Sequence, residues 1–322
     1  NIATNAGGIN VIRYGMTREW VAGLTVVTGK GEVLELNKGL MKNNTGLDFR
    51  HLFIGSEGIL GFITEATLKL TAPPKDPTVL VLGLSDMSAI MAVLDRIQST
   101  TPLLAYEFFS ELAVSKVVDH AGVARPFETR TPFYALVEFE RENDMTDAHV
   151  FEAVEQCMEE GWVIDAVMSQ SVAQASALWR LREDISETIS RWTPYKNDIS
   201  STVSKVPELL AAVDDVVHEN YPDWEVVWYG HIGDGNLHLN ILKPENLQIE
   251  EFKARCNEVS TDIFDAIKRL GGSVSAEHGV GTLKAPYLGY SKSDSEIDAM
   301  RAIKAIFDPD GILNPGKVFS IA

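Results

Sequence analysis

The stretch Trp228-Tyr-Gly-His-Ile-Gly-Asp-Gly-Asn-Leu-His-Leu-Asn-Ile241 decides how the chain is read. Two alternating runs flank Asp234-Gly235, and Asp-Gly between such runs is a strong short-range signal for a hairpin with a two-residue type I′ turn. With those residues as the turn, Gly233 pairs with Asn236, Ile232 with Leu237, and His231 with His238. Opposed residues of an antiparallel pair hold their Cβ atoms about 4.5–5.5 Å apart on one face. Two imidazoles at that separation can share one metal ion, and Asn240, two residues past His238, projects from the same face. A buried, aromatic-rich hairpin whose histidines are merely hydrogen-bonded accounts for the same residues. Taken alone, the hairpin favours that blander reading.

Around this stretch the chain reads as α+β. The 322 residues, 45% hydrophobic, suffice for about two domains. Asn1 to about Thr71 reads as short β-rich units, with Leu24–Val27 and Glu32–Leu36 forming a hairpin around Thr28-Gly-Lys-Gly31. Three prolines in Thr71–Pro77 mark a linker. Strands and helices then alternate. Strands are expected at Val79–Leu84, Leu103–Phe109, Phe133–Glu140, Trp162–Met168, Asp198–Val203 and Ser273–Ala276. Helices are expected at Met87–Ile97, Glu111–His120, Ala148–Glu160, Val172–Arg191, Glu208–Glu219 and Glu251–Leu270. Ser293-x-x-Glu296 is a capping box for a last helix to Phe307. The sum is an antiparallel sheet backed by helices, preceded by a β-rich portion.

Composition excludes some functions. A formal charge of −18 argues against nucleic acid and anionic membrane surfaces, which reward clustered Lys and Arg. No apolar run approaches the roughly 18 residues of a membrane span. Cys157 and Cys256 are too few for a disulfide framework, which points to a reducing compartment. Asn1 opens inside a strand-and-loop motif, so upstream sequence is expected, and the chain bears no information on a targeting peptide.

Further chemistry lies outside the hairpin. Glu277-His278 follows a short strand and precedes glycines 279 and 281. A carboxylate joined to two facing histidines suits a divalent ion with one coordination position open, and an adjacent histidine could act as a base. A helix cap and turn with a surface histidine explains Glu277-His278 equally well. Arg180, Arg182 and Lys196 are candidate anion-binding cations, with Arg182 and Ser186 on one helix face at i,i+4. A solvated charged face is the commoner meaning of such a run. The glycines at 55, 58 and 61 lack dinucleotide-fingerprint spacing, although a turn of exposed amides beside Ser56 can hold phosphate oxygens.

Taken together, Thr4-Asn-Ala-Gly-Gly8, Gly55-Ser-Glu-Gly58, Gly230-His-Ile-Gly-Asp-Gly-Asn-Leu-His238, Glu277-His-Gly-Val-Gly281 and Asn314-Pro-Gly-Lys317 resemble, in that order, the FAD-linked D-2-hydroxy-acid dehydrogenases of the vanillyl-alcohol-oxidase superfamily. The likeness is greatest to the D-2-hydroxyglutarate dehydrogenases. The resemblance implies the second half of an FAD-binding domain at 1–72, a linker at 73–77, a substrate (cap) domain at 78–307, and a segment 308–322 that returns to the flavin. It implies that Thr4, Asn5, Gly7, Gly8, Gly55, Ser56, Gly58, Asn314 and Lys317 border FAD. His231, His238 and Glu277 match the metal ligands, with zinc first and manganese or iron as alternatives. His278 matches the base, and Arg182, Ser186 and Lys196 fall where the distal carboxylate is held; Asn240, on the histidine face, is expected to help fix the carboxylate next to the hydroxyl. A small 2-hydroxy acid is the implied substrate, and an electron-transfer flavoprotein or quinone pool the implied acceptor. The resemblance allows for a homodimer, in bacterial cytoplasm or an organellar matrix. The competing readings are a metallohydrolase built on the His/His/Glu set, a flavin dehydrogenase for D-lactate, D-malate or glycolate, an alkyl-dihydroxyacetonephosphate-synthase-like transferase, and a non-catalytic fragment.

Overall fold

The computed structural model describes residues 1–141 and 144–319; the last three residues of the expected C-terminal segment 308–322 lie outside the described residues. The chain divides into two compact units. The first comprises Asn1–Gly8, Tyr14–Ala72 and Ser273–Ala322, and the second Ile9–Arg13 and Pro73–Gly272. Residues 273–307 thus belong with the first unit, whereas the sequence reading carried the substrate domain to 307. Phe307 explains the placement, because its ring packs on Phe53 and Phe49.

In the first unit, strands β1 (Val21–Thr28), β2 (Val33–Leu36) and β3 (Gly61–Leu68) form an antiparallel sheet in the order β2-β1-β3. The β1–β2 hairpin stands where the Thr28–Gly31 turn was expected, closed by the Gly31 amide donating to the Thr28 carbonyl at 3.0 Å. Short helices α2 (Thr17–Trp20) and α3 (Arg50–Phe53) border the sheet, and the long helix α11 (Asp294–Phe307) starts at the expected capping box. Val21, Leu24, Val26, Phe53, Ile54, Leu288, Ile297 and Phe307 share one apolar core. Ser273–Ala276 is not a strand. Ser273 makes a single bridge, and its hydroxyl binds both the amide and the carbonyl of Ser275 in place of a ladder.

The second unit is built on a wholly antiparallel sheet in the order β7-β4-β6-β5-β9-β10-β8. Its strands are β4 (Pro77–Leu84), β5 (Leu103–Ser110), β6 (Phe133–Glu140), β7 (Val163–Met168), β8 (Tyr195–Ser200), β9 (Val226–Gly230) and β10 (Asn236–Ile241). Its helices are α4 (Met87–Gln98), α5 (Glu111–Ala121), α6 (Asp144–Glu159), α7 (Val172–Glu183), α8 (Ile185–Ile189), α9 (Val206–Asn220) and α10 (Ile249–Arg269), and it also holds Val11–Arg13 of the short α1 (Val11–Tyr14). Strand alternation sends Tyr106 toward α4, where its hydroxyl donates to the Ile90 carbonyl at 2.6 Å. The opposite side carries Val79, Val81, Phe109, Tyr134, Val227 and Tyr229, which pack against Ala113, Val114 and Val117 of α5 and Leu181, Ile185 and Ile189 of α7–α8. Burying such side chains contributes about 1.5–3 kcal/mol each.

Two expectations are corrected here. The helix expected over Val172–Arg191 is broken at Asp184, which ends α7 and starts α8 with ψ near −5°. Its carboxylate turns back to Arg180 at 2.8 Å, and a 3₁₀ turn Ser190–Trp192 follows. The strand expected at Asp198–Val203 runs over Tyr195–Ser200 instead, because the pairs Asn236–Ser200 through Ile241–Tyr195 set its length.

Candidate functional site

The hairpin exists, but its turn is not the two-residue type I′. Strand β10 pairs with β9 so that His238 faces Tyr229 and Leu239 faces Trp228. His231–Gly235 forms a longer connection containing a 3₁₀ turn, closed by the Asn236 amide on the His231 carbonyl at 3.2 Å. The register differs from the expected one by two residues. Because side chains alternate with period two, that shift changes the partner without changing the face. His231 and His238 therefore still share a face, diagonally, with ring centroids 5.5 Å apart and planes at 84°. One ligand nitrogen from each lies within 4.8 Å of the other. Gly235 is required here. It has φ +91°, and a Cβ would stand 2.2 Å from the Ser201 carbonyl oxygen.

Sheet register assembles the rest of this face. Across β8, β10, β9 and β5 runs the row Asp198–His238–Tyr229–Phe109, and beside it Lys196–Asn240–Val227. Pairing of Phe108 with Gly230 places Glu107 opposite His231 one step further along. The Glu107 carboxylate accepts from His231 Nδ1 at 2.7 Å, and its other oxygen lies 2.7 Å from Arg182 Nε. His238 Nδ1 lies 3.6 Å from Asp198, whose carboxylate also accepts from Asn236 at 2.8 Å. His231 thus has a carboxylate bonded at Nδ1, the arrangement that orients metal-ligating imidazoles in proteins, and His238 has one nearby. This donor set fits a divalent ion with nitrogen ligands such as zinc.

The cations gather on the same face. Arg182, 6% exposed, lies with its guanidinium carbon 4.6 Å from the centre of the Tyr229 ring. Lys196 donates to the Ser186 hydroxyl at 3.0 Å. Burial pushes the Tyr229 phenol above its ordinary value, while Ser186, the Arg182 charge and Asn240 act the other way. Asn240 is 1% exposed, and its side-chain amide lies against the Tyr229 phenol. A buried amide still has donor and acceptor capacity that a bound carboxylate can use. Arg180 stands apart, paired with Asp184 and bound to the Ala121 carbonyl at 3.0 Å.

In the first unit the quoted motifs meet around Glu57. Its amide donates to the Ala3 carbonyl at 2.7 Å, and its carboxylate accepts from Val280 at 2.6 Å and Gly281 at 2.7 Å. Its carbonyl accepts from the Asn314 side chain. The loops bearing Thr4–Gly8, Gly55–Gly58, Glu277–Gly281 and Asn314–Lys317 are so tied together. Asn5, Gly55, Glu57, Gly58 and Asn314 have positive φ, which bends these loops into tight backbone turns. Gly8 leaves the space that a Cβ would occupy open to 4 Å. Small residues and exposed backbone of this kind fit the close approach of a phosphate-bearing cofactor such as FAD. Ser56 spends its hydroxyl on the Phe53 carbonyl at 2.8 Å. In this unit Glu277 is half-buried and His278 exposed.

Sequence reasoning missed Glu107, Asp198, Tyr229 and Glu57. A signal existed for the first: Glu107 is the only charge in the apolar run Leu103–Phe109.

Comparison with known proteins identifies the family. The profile of the FAD linked oxidases, C-terminal domain, matches residues 73–318, and that of an FAD binding domain matches residues 1–37. The chain belongs to the FAD-linked oxidases. Among its relatives it is 58% identical to the D-2-hydroxyglutarate dehydrogenase of Stutzerimonas stutzeri (strain A1501), over 99% of this chain and 69% of the relative. It is 52% identical to the D-2-hydroxyglutarate dehydrogenase of Xanthomonas citri pv. viticola, covering 99% and 67%. To the mitochondrial D-2-hydroxyglutarate dehydrogenase of Arabidopsis thaliana it is 37% identical, covering 99% and 56%. Solved structures share the fold at low identity. The 4-ethylphenol oxidase of Gulosibacter chungangensis superposes with a TM-score of 0.70 at 15% identity, covering 99% of this chain and 68% of the oxidase. An alkyldihydroxyacetonephosphate synthase gives 0.63 at 17%, covering 98% and 56%.

Proposed function

We propose that the chain oxidises D-2-hydroxyglutarate to the corresponding 2-oxo acid, with FAD and a divalent metal ion, zinc by its donor chemistry. The observation that carries this reading is one sheet face bearing the His231–His238 pair, the buried amide Asn240 and Lys196, with Arg182 of α7 lying over its Tyr229. In a chain of net charge −18, two cations brought to one partly buried face beside a nitrogen-donor pair match a dianionic hydroxy acid. Arg182, Lys196 and Ser186 hold the distal carboxylate, and Asn240 fixes the carboxylate next to the reacting carbon. His231 and His238 bind the ion, with Glu277 as the third ligand on the strength of its sequence motif. His278 removes the hydroxyl proton. A bound divalent cation stabilises negative charge developing on the hydroxyl oxygen, and FAD, when bound, supplies the two-electron acceptor for the α-hydrogen. Positioning and charge stabilisation are the protein's own contributions.

Thr4, Asn5, Gly7, Gly8, Gly55, Ser56, Gly58, Asn314 and Lys317 are the proposed flavin-bordering residues. An electron-transfer flavoprotein or the quinone pool is the proposed final acceptor, and the chain is proposed to work as a homodimer in bacterial cytoplasm or an organellar matrix. No described helix is long and apolar enough to cross a membrane. Membership of the FAD-linked oxidases speaks against the metallohydrolase reading. D-lactate, D-malate and glycolate are the competing substrates. The test is a panel of 2-hydroxy acids with a dye acceptor, assayed with and without chelator. The expected result is preference for D-2-hydroxyglutarate and loss of turnover on chelation; equal use of D-lactate would overturn the substrate assignment.

A further inference from the structure

Strand β5 carries one charged side chain, Glu107, and it is completely buried. Burying a lone carboxylate is unfavourable enough that such a residue is kept only where partners compensate it. Glu107 has two partners of different kinds. Oε1 faces His231 Nδ1 at 2.7 Å, and Oε2 faces Arg182 Nε at 2.7 Å. A carboxylate lacking a proton can only accept, so Nδ1 of His231 is the donor in this bond.

We propose that Glu107 is a positioning residue that couples metal binding to recognition of the substrate's distal carboxylate. The inference rests on the reading above that His231 ligates the metal and Arg182 binds that carboxylate. On the histidine side, Glu107 selects the tautomer with hydrogen on Nδ1 and so directs Nε2 to the ion. On the arginine side, its Oε2 lies 2.7 Å from Nε as a buried ion pair that keeps the guanidinium beside Tyr229, its carbon 4.6 Å from the ring centre. The two terminal nitrogens of Arg182 are then oriented as a fork for a planar carboxylate. One side chain thereby sets the distance between the metal pair and the distal anion site, which is the quantity that tells a five-carbon dicarboxylate from a shorter hydroxy acid. Metal affinity and dicarboxylate selectivity should move together when Glu107 is changed.

The experiment compares the wild type with Glu107→Gln as FAD-loaded full-length protein. Zinc affinity is measured by competition with a chromophoric chelator, and kcat and KM are measured at saturating zinc for D-2-hydroxyglutarate and for D-lactate. The expected result is a loss of zinc affinity of about 10–100-fold. KM for D-2-hydroxyglutarate should rise at least about tenfold more than KM for D-lactate, a shift of one tenfold step in discrimination. A general structural defect would instead lower both substrates alike. Unchanged zinc affinity, or an unchanged ratio of the two KM values, overturns the coupling. If Glu107→Gln does not fold, Glu107→Asp keeps the charge but withdraws it by one methylene, and the same two readouts apply. His231→Ala and Arg182→Met run in parallel. If His231→Ala keeps its zinc, or Arg182→Met leaves the KM ratio unchanged, it is the underlying site reading that fails rather than the role of Glu107.

Discussion

The two units build binding surfaces from different materials. In the second unit the surface is made of side chains from the sheet and from α7–α8, several held by another side chain: His231 and Arg182 by Glu107, and Lys196 by Ser186, with Asp198 close to His238. In the first unit the surface is made of backbone, bent by residues of positive φ and tied at one carboxylate, Glu57. A sheet places side chains at fixed spacing on a common face, which suits an ion and a small anion. Loops of small residues let backbone approach a large cofactor closely. The difference teaches where each unit is vulnerable. Functional groups matter in the second, and loop anchors in the first.

Three changes break or sharpen that contrast. The largest effect is expected from His231→Ala, which removes a proposed metal ligand and leaves Glu107 with one partner fewer. Metal binding should be lost and turnover should fall by about 10³-fold, roughly 4 kcal/mol of transition-state stabilisation. Metal analysis and steady-state kinetics check this, and full activity in metal-stripped variant protein would end the metal account. Next comes Glu57→Ala, which removes two amide-to-carboxylate bonds that anchor the 277–281 loop. A cost of about 1.5–3 kcal/mol is expected, with weakened FAD retention on dialysis and a lowered urea midpoint. Zinc affinity should fall less than in His231→Ala, because this change loosens only the loop that carries Glu277, the proposed third ligand.

The smallest effect concerns acid stability. Asp86 caps helix α4, accepting from the Ser88 and Ala89 amides. The Ser88 hydroxyl, foremost, and these amides hold its carboxyl below the ordinary 3.8, against an upward push from partial burial. A carboxyl depressed in the folded state stabilises the fold above its unfolded pKa, and that stabilisation disappears as pH falls through the folded value. Asp86→Ala should therefore lose about 1 kcal/mol near neutral pH and converge with the wild type in acid below the ordinary aspartate value. Urea titrations at stepped pH would show the convergence, and a pH-independent gap would exclude the charge as its cause.

Much of this was legible in advance, for identifiable reasons. The capping box at Ser293 and Glu296 is local chemistry, and α11 begins where it says. Pro207 lies in the first turn of α9, as a residue with no amide hydrogen should. The break at Asp184 was not legible, because a helical stretch and a joint of relaxed ψ share the same apolar spacing. Glu107 was visible as a charge in an apolar strand, but its partners lie 75 and 124 residues away.

By itself the sequence determined which residues could act, which face of each strand they occupy, and the ordered motifs that mark the family. The period of two settles faces from local information alone, and for that reason the two histidines kept a common face although their register was misjudged. Only the tertiary structure decided the partners: Tyr229 rather than His231 opposite His238, Glu107 between His231 and Arg182, and Glu57 joining four loops. Strand neighbours and turn lengths are set by packing among distant segments, and no local pattern carries that information.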